Sequence, residues 1–419
     1  MTLTFLVAPS GFKESLSVRQ VTDAIAAGVK RAIPSARILK APMVDGGEGT
    51  VEALVDATGG EMRHLTVTGP VGEPVSSFFG IMGGEGPRTA VIEMAAAAGL
   101  RLVPRDRRDP TLTNSFGVGE LICAALDEGA TRILIGCGDS GVNDGGAGMI
   151  QALGGRLLDR DGRELGRGGA ELARLERIDL SGLDPRLSMV QIDGAVNIHN
   201  ILLGERGVAR VFGPQKGATP DQVVLLERAL ENYAFRIEQA TGIAAGYEPG
   251  SGASGGLGVA IRALLGGRLH PRYDIVMRYL AFDALLGGAD VVITAEGSLD
   301  GQTPFGKIPA EVGRRARALG LPTIALAGTV GKGCTANFDH GIDAFASIIS
   351  RPCSLDEAIA KAEKLLTRAA EDATRMIGVG LRLGQKSRPF RRPRRVSAAT
   401  ARLAAISASP AERLVASHA

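Results

Sequence analysis

The alternation of short and long apolar runs limits what this chain can fold into more than any other feature. A β-type run at residues 5–8 ends in Pro9 and Gly11. Residues 18–33 then repeat apolar positions at helical spacing (Val21, Ala24, Ile25, Val29, Ile33) until Pro34 stops them. The pattern recurs as a strand at 37–41 and a helix at 51–57. Far downstream come strands at 290–294, 322–327 and 344–349, with helices at 309–319 and 354–377. A helix between successive strands predicts a parallel sheet covered on both faces. Five such units fit an α/β fold of the flavodoxin-like, doubly wound type, strand order 2-1-3-4-5, with its crevice beyond the carboxyl ends of strands one and three. The gap after the second unit is too long for a loop. It predicts an inserted second α/β domain at 61–284 within a discontinuous flavodoxin-like domain at 1–60 and 285–380. Inside the insertion, runs at 64–68 and 77–81 flank a Gly/Pro-rich stretch at 69–74, a hairpin signal. A helix at 117–128 leads there to a strand at 132–135.

Lys plus Arg is 48 and Asp plus Glu 45, a balance that argues against a nucleic-acid partner. Trp is absent and aromatics are 4%, which leaves no platform for base stacking. The charge is uneven: from Gly384 onward there are eight Lys/Arg and one Glu. Residues 381–419 are therefore expected to be a basic disordered tail. No apolar stretch is long enough to cross a membrane, and the short N-terminal run lacks the basic flank of a signal peptide. Cys123, Cys137, Cys334 and Cys353 form no C-x-x-C pair. They predict reduced thiols in a cytoplasmic protein rather than disulfides or a zinc site.

Chemistry-bearing residues fall where the strands end. The turn after strand one holds Ser10, Lys13 and Ser15; that after strand two, Asp45, two glycines and Glu48. The turn after strand three runs from Glu296 through Asp300, Gln302, Thr303 and Gly306 to Lys307. The turn after strand four holds Gly328, Thr329 and Lys332. The insertion adds Asp139, Ser140, Asn143 and Asp144 in one Gly-rich turn, and Gln215, Lys216 and Gly217 in another. A further Gly/Ser-rich stretch lies at 249–258. Lysines neutralise phosphate oxygens, carboxylates hold Mg²⁺ and glycines let the backbone approach, so the set suits a polyanion bound with a metal ion. Gly-rich loops in both domains suggest a kinase that closes on its substrates.

Single motifs are weak. Gly301-x4-Gly306-Lys307 is P-loop-like, but Ile308 stands where Ser or Thr would meet Mg²⁺. Gly136-x-Gly138-x-x-Gly141 fits a dinucleotide fingerprint with Asp159 downstream, and Gly250-x-Gly252-x-x-Gly255 fits as well. A nicotinamide-dependent oxidoreductase of a small hydroxy acid therefore stands as the alternative reading. His199, in a polar cluster with Asn197 and Asn200, is a weaker substrate-ligand candidate.

As an ordered set, residues 8–16, 42–50, 140–148, 211–217 and 296–303 with Gly306 and Lys307 resemble the bacterial glycerate kinase family, over about residues 4 to 380. Ser298 stands where that family often carries Arg. The resemblance implies ATP-dependent, Mg²⁺-dependent phosphorylation of D-glycerate, most often at the 2-hydroxyl. The residues expected to carry catalysis are Lys13, Asp45, Glu48, Asp144 and Lys307. Ser140, Asn143, Lys216, Gln302, Thr303, Gly306 and Gly328 are expected to bind substrate or nucleotide. Asp45, Glu48, Glu296 and Asp300 are the expected metal ligands. The partner expected is the small-molecule substrate glycerate and, as one option, a second copy in a homodimer.

Overall fold

A computed structural model describes residues 2–12 and 14–386 of the chain. Its strands, among the described residues, are β1 (Thr4–Val7), β2 (Arg37–Lys40), β3 (Glu61–Thr68), β4 (Pro74–Ile81), β5 (Thr89–Glu93), β6 (Arg132–Gly136), β7 (Arg156–Leu158), β8 (Arg177–Asp179), β9 (Gln191–Val196), β10 (Arg268–Pro271), β11 (Val291–Leu299), β12 (Thr323–Val330) and β13 (Ala344–Ser347). Contacts group the chain into two compact units. Among the described residues, those up to Val7, Asp23–Leu39 and those from Leu286 onward form one; Ala8–Thr22 and Lys40–Leu285 form the other.

The first unit is built on a five-stranded sheet in the order β13-β12-β11-β1-β2. Renumbered within that sheet, this is the 2-1-3-4-5 order the sequence predicts. β1 pairs β11, β11 pairs β12 and β12 pairs β13, all parallel, in registers that include Phe5↔Val291, Val292↔Thr323 and Ile324↔Ala344. Phe5, Leu6, Val292, Ile293 and Leu326 are fully buried. Strands covered on both faces read as unbroken apolar runs, which is why they stood out in the sequence. Helix Val18–Ala32 meets the C-terminal helix at Gly28, where a Cβ would lie 2.4 Å from the Thr367 carbonyl oxygen and 2.7 Å from the Ala370 Cβ. Only glycine lets the two backbones come so close.

Two features of the C-terminal segment correct the sequence reading. The helix expected over 354–377 is two: Leu355–Ala360, capped by the Ser354 hydroxyl accepting from the Glu357 N–H at 3.2 Å, then Ala362–Lys386. The second runs past the expected start of the tail, so residues 381–386 are helical. The remainder of the expected tail, 387–419, lies outside the described residues.

The second unit is built on a six-stranded mixed sheet, β10-β9-β6-β5-β4-β3. The hairpin read from the sequence is β3–β4, antiparallel from Glu61↔Ile81 to Thr68↔Pro74. β5, β6, β9 and β10 run parallel. Of these, β5, β9 and β10 were not read from the sequence, nor was the small β7–β8 pair. Leu121, Ile133, Ile135, Met149 and Tyr233 fill the core. Residues 40–60, placed by the sequence in the first domain, group with this unit instead. The Val51 N–H, in the first turn of helix Thr50–Thr58, donates to Glu93 Oε1 at 2.7 Å, and Glu93 ends β5. That anchor links segments far apart in sequence, so no local pattern announces it.

Candidate active site

In the first unit the polar set gathers where β11 gives way to helix Ile308–Ala318. Lys307 is the N-cap residue and Pro309 follows in the first turn, a position that costs proline no hydrogen bond. Lys307 Nζ lies 3.2 and 3.4 Å from the two Asp300 carboxylate oxygens, 3.3 Å from the Ser298 carbonyl and 4.0 Å from Glu296 Oε1. Glu296 is almost enclosed and accepts from the Thr303 hydroxyl at 2.6 Å. Burial pushes its carboxyl above the usual range, opposed by Thr303 and Lys307. Asp300 is held below its usual range, chiefly because the Gln302 N–H donates to it at 2.8 Å, with Lys307 adding to the effect. Thus Glu296, Asp300, Thr303 and Lys307 come together, while the Gln302 and Gly306 residues between them are exposed. Gly328 has a different explanation. It faces Gly297 across the β11–β12 pair, and a Cβ there would sit 2.6 Å from the Gly297 carbonyl. Strand contact alone accounts for that glycine.

In the second unit, the turn after β6 is bound on every side. Lys216 is 2% exposed, and its Nζ donates to Ser140 Oγ (2.9 Å), the Val142 carbonyl (2.6 Å) and Asn143 Oδ1 (2.9 Å). All three ammonium protons are therefore used. Burial pushes this amine down to about 7, while neighbouring Asp144 favours its charge. Asp144 is wholly enclosed and accepts from the Ser115 N–H and hydroxyl (both 2.8 Å) and from the Gly146 and Gly148 N–H groups (both 3.1 Å). Four donors fill a carboxylate, so Asp144 has the environment of a structural group that shapes the turn rather than that of a proton acceptor.

Asp45 and Glu48 are each about half exposed and each is tied to its own arginine: Arg272 to Asp45 at 3.2 Å and Arg101 to Glu48 at 2.9 Å. Neither arginine was singled out in the sequence, because the partners lie more than 50 and 220 residues apart. The tie between Asp139 and Glu48 is hidden from the sequence for the same reason. Asp139 takes φ 51 and its carboxylate accepts from the Glu48 N–H at 3.0 Å. The glycines of the fingerprint-like turn are spent on packing: a Cβ on Gly136 would lie 2.5 Å from the Gly46 carbonyl, and one on Gly138 2.6 Å from Gly47 Cα. Those glycines admit another loop, not a pyrophosphate, and the structure adds nothing to the oxidoreductase alternative. His199 is exposed, and Lys13 lies outside the described residues.

Among the described residues no three His, Cys, Asp or Glu side chains stand together as a metal cage. Magnesium bound to substrate phosphates needs only one or two protein carboxylates. The half-open Asp300 with Glu296 behind it fits that requirement. Asp45 and Glu48 fit it less well, since a metal ion would have to displace an arginine from each.

The chain matches the model of the glycerate kinase family over residues 5–378. It is 48% identical over 370 residues to a glycerate kinase of Bacillus subtilis, covering 88% of this chain and 96% of that protein. It is 44% identical over 380 residues to the glycerate 2-kinase of Escherichia coli K12, covering 91% and 99%. A crystal structure from Salmonella typhimurium LT2, which carries the provisional name glycerate kinase 2, aligns with a TM-score of 0.83 at 43% identity, over 91% of this chain and all of that one. The chain belongs to the glycerate kinase family.

Proposed function

We propose that this enzyme transfers the γ-phosphoryl group of ATP to glycerate, with Mg²⁺ as counter-ion, and that the product is 2-phosphoglycerate. The observation that carries the reading is the Lys307 junction, where an ammonium and a helix N-terminus without a side-chain cap stand beside two carboxylates. Such a terminus receives phosphate oxygens. Asp300 and Glu296 would hold Mg²⁺, whose charge, when bound, offsets that of the phosphates. Lys307 would then exchange its Asp300 contacts for a phosphate oxygen. Thr303 orients Glu296, and Gln302 fixes Asp300 through its N–H.

On the acceptor side, the hydroxyl oxygen bonds to the γ-phosphorus as the bond to the β–γ bridging oxygen breaks. ADP leaves and the hydroxyl proton passes to a carboxylate. Asp45, exposed and paired with Arg272, and Glu48, held by Arg101, stay candidates for that role on their sequence positions. Lys13 stays a phosphate-contact candidate on its sequence position. The names of the relatives, glycerate kinase and glycerate 2-kinase, support the acceptor and the position phosphorylated. No helix among the described residues is long and apolar enough to cross a membrane, and all four cysteines are free. Both facts accord with a cytoplasmic setting.

A coupled ADP-release assay over a panel of small hydroxy acids, with NMR of the product, tests the reading. Glycerate should be the preferred acceptor and 2-phosphoglycerate the product. No ADP release above background ATP hydrolysis with glycerate would overturn it, and a 3-phosphorylated product would correct the position.

A further inference from the structure

Asn143 is completely buried, and one end of its amide is accounted for: Oδ1 accepts from Lys216 Nζ at 2.9 Å. In its charged form Lys216 has no lone pair to offer, so it can face only the oxygen of an amide. Lys216 thereby fixes which way round Asn143 sits. The amide Nδ2 is left buried with no acceptor among the described residues. Buried donors are nearly always satisfied, and leaving one unpaired is costly. The surrounding turn spares no effort to hold this amide still. The Gly141 N–H donates to the Ala98 carbonyl and the Thr113 hydroxyl to the Gly141 carbonyl, both at 2.9 Å, and Asp144 next door is saturated by four donors.

We propose that Lys216 is a positioning residue that never touches substrate, and that it presents the Asn143 amide N–H to an acceptor oxygen of the bound hydroxy acid. The inference rests on the glycerate kinase reading and deepens it by naming a donor that recognises the acceptor substrate rather than the nucleotide. A donor held by a fixed partner discriminates strongly, because a ligand without the matching oxygen leaves the amide unpaired.

The experiment compares the full-length wild type with Asn143→Asp, Asn143→Leu and Lys216→Ala. In Asn143→Asp the carboxylate still accepts from Lys216, so the clamp persists while the donor is gone. In Asn143→Leu the donor is removed with no charge added. Both variants should keep a thermal midpoint within a few degrees of wild type and KM for ATP within threefold. Their kcat/KM for glycerate should fall at least 30-fold. Lys216→Ala should lose activity through the released amide and regain part of it with added propylammonium, which has no effect on the wild type. If either Asn143 variant keeps kcat/KM for glycerate within threefold, the donor assignment is wrong and Nδ2 serves only an internal water. If propylammonium restores nothing to a folded Lys216→Ala, the positioning role fails. An inactive wild type would instead indict the glycerate kinase reading, so the two failures are told apart.

Discussion

Lys307 concentrates the nucleotide-side reading in one side chain. Its partly exposed ion pair with Asp300 contributes little stability, on the order of 1 kcal/mol or less. Lys307→Ala should therefore leave the melting temperature nearly unchanged. A preorganised charge that steadies the transferred phosphoryl group acts mainly in the transition state, so kcat should fall by more than KM for ATP rises. The loss expected is ~2–4 kcal/mol of transition-state stabilisation, with partial recovery in Lys307→Arg. Steady-state kinetics with each substrate varied decide it; a kcat within twofold of wild type would make Lys307 a bystander. Glu93 supplies a pH test of a different kind. Burial raises its carboxyl to about 8, against an ordinary value near 4.5, although the Val51 N–H pulls the other way. The folded state thus holds this proton more tightly than the unfolded state does. The resulting stability is full below about 4.5 and is lost as pH rises through about 8. Glu93→Gln keeps an oxygen for Val51 but has nothing to ionise. Unfolding free energies from urea titrations of this variant should match wild type near pH 4 and exceed it near pH 9, by on the order of a few kcal/mol. Parallel profiles across that range would show that Glu93 does not titrate in the window. The position of Lys307 was legible because Pro309 marks the start of a helix. The role of Glu93 was not, because it sits in the run Thr-Ala-Val-Ile-Glu, where the apolar residues hide a carboxylate whose partner lies 42 residues away.

Among elements, the inner strands of the first sheet, β1, β11 and β12, were legible because each is an apolar run closed by Pro or Gly. The second sheet was harder. β9 reads Gln-Ile-Asp-Gly-Ala-Val, and its Asp193 looks like a turn residue. In the structure Asp193 is fully buried and accepts from the Tyr279 hydroxyl (2.8 Å) and the Gln191 amide (2.6 Å), with His270 Nε2 at 2.7 Å. Only tertiary partners make a carboxylate tolerable in a central strand. The break at Lys361 was equally hidden, since helical periodicity continues across it. Contact between helices yields a prediction where two effects oppose. Gly28→Ala should gain about 1 kcal/mol of helix propensity. The new methyl would overlap the Thr367 carbonyl and Ala370, and such overpacking costs about 1–3 kcal/mol. The clash involves backbone, which yields poorly, so the net effect should be destabilising by ~1–2 kcal/mol. Denaturant unfolding checks this; a Gly28→Ala variant more stable than wild type would show that the helices part easily.

For the whole molecule, the kinase reading predicts which ligands stabilise the fold. A ligand that binds only the native state stabilises it by RT ln(1 + [L]/Kd), about 2.7 kcal/mol at one hundred times Kd. In a chain of this size that corresponds to a rise of several degrees in thermal midpoint. Mg-ATP should produce such a rise, ATP with a chelator a smaller one, and NAD none. Asp300 allows the metal contribution to be isolated. Its side chain lies beside Lys307 and is partly exposed, so Asp300→Asn should barely move the unliganded midpoint. The variant should lose most of the difference between Mg-ATP and metal-free ATP while keeping the metal-free shift, because Lys307 and the helix N-terminus still meet the phosphates. The contrast separates a carboxylate that holds a cation from one that merely orients a lysine. In the second case, removing Asp300 would free Lys307 and increase the shift given by ATP alone. A rise with NAD equal to that with Mg-ATP would sink the nucleotide assignment altogether. An Asp300→Asn protein with an intact magnesium increment would move the metal site away from the β11 turn.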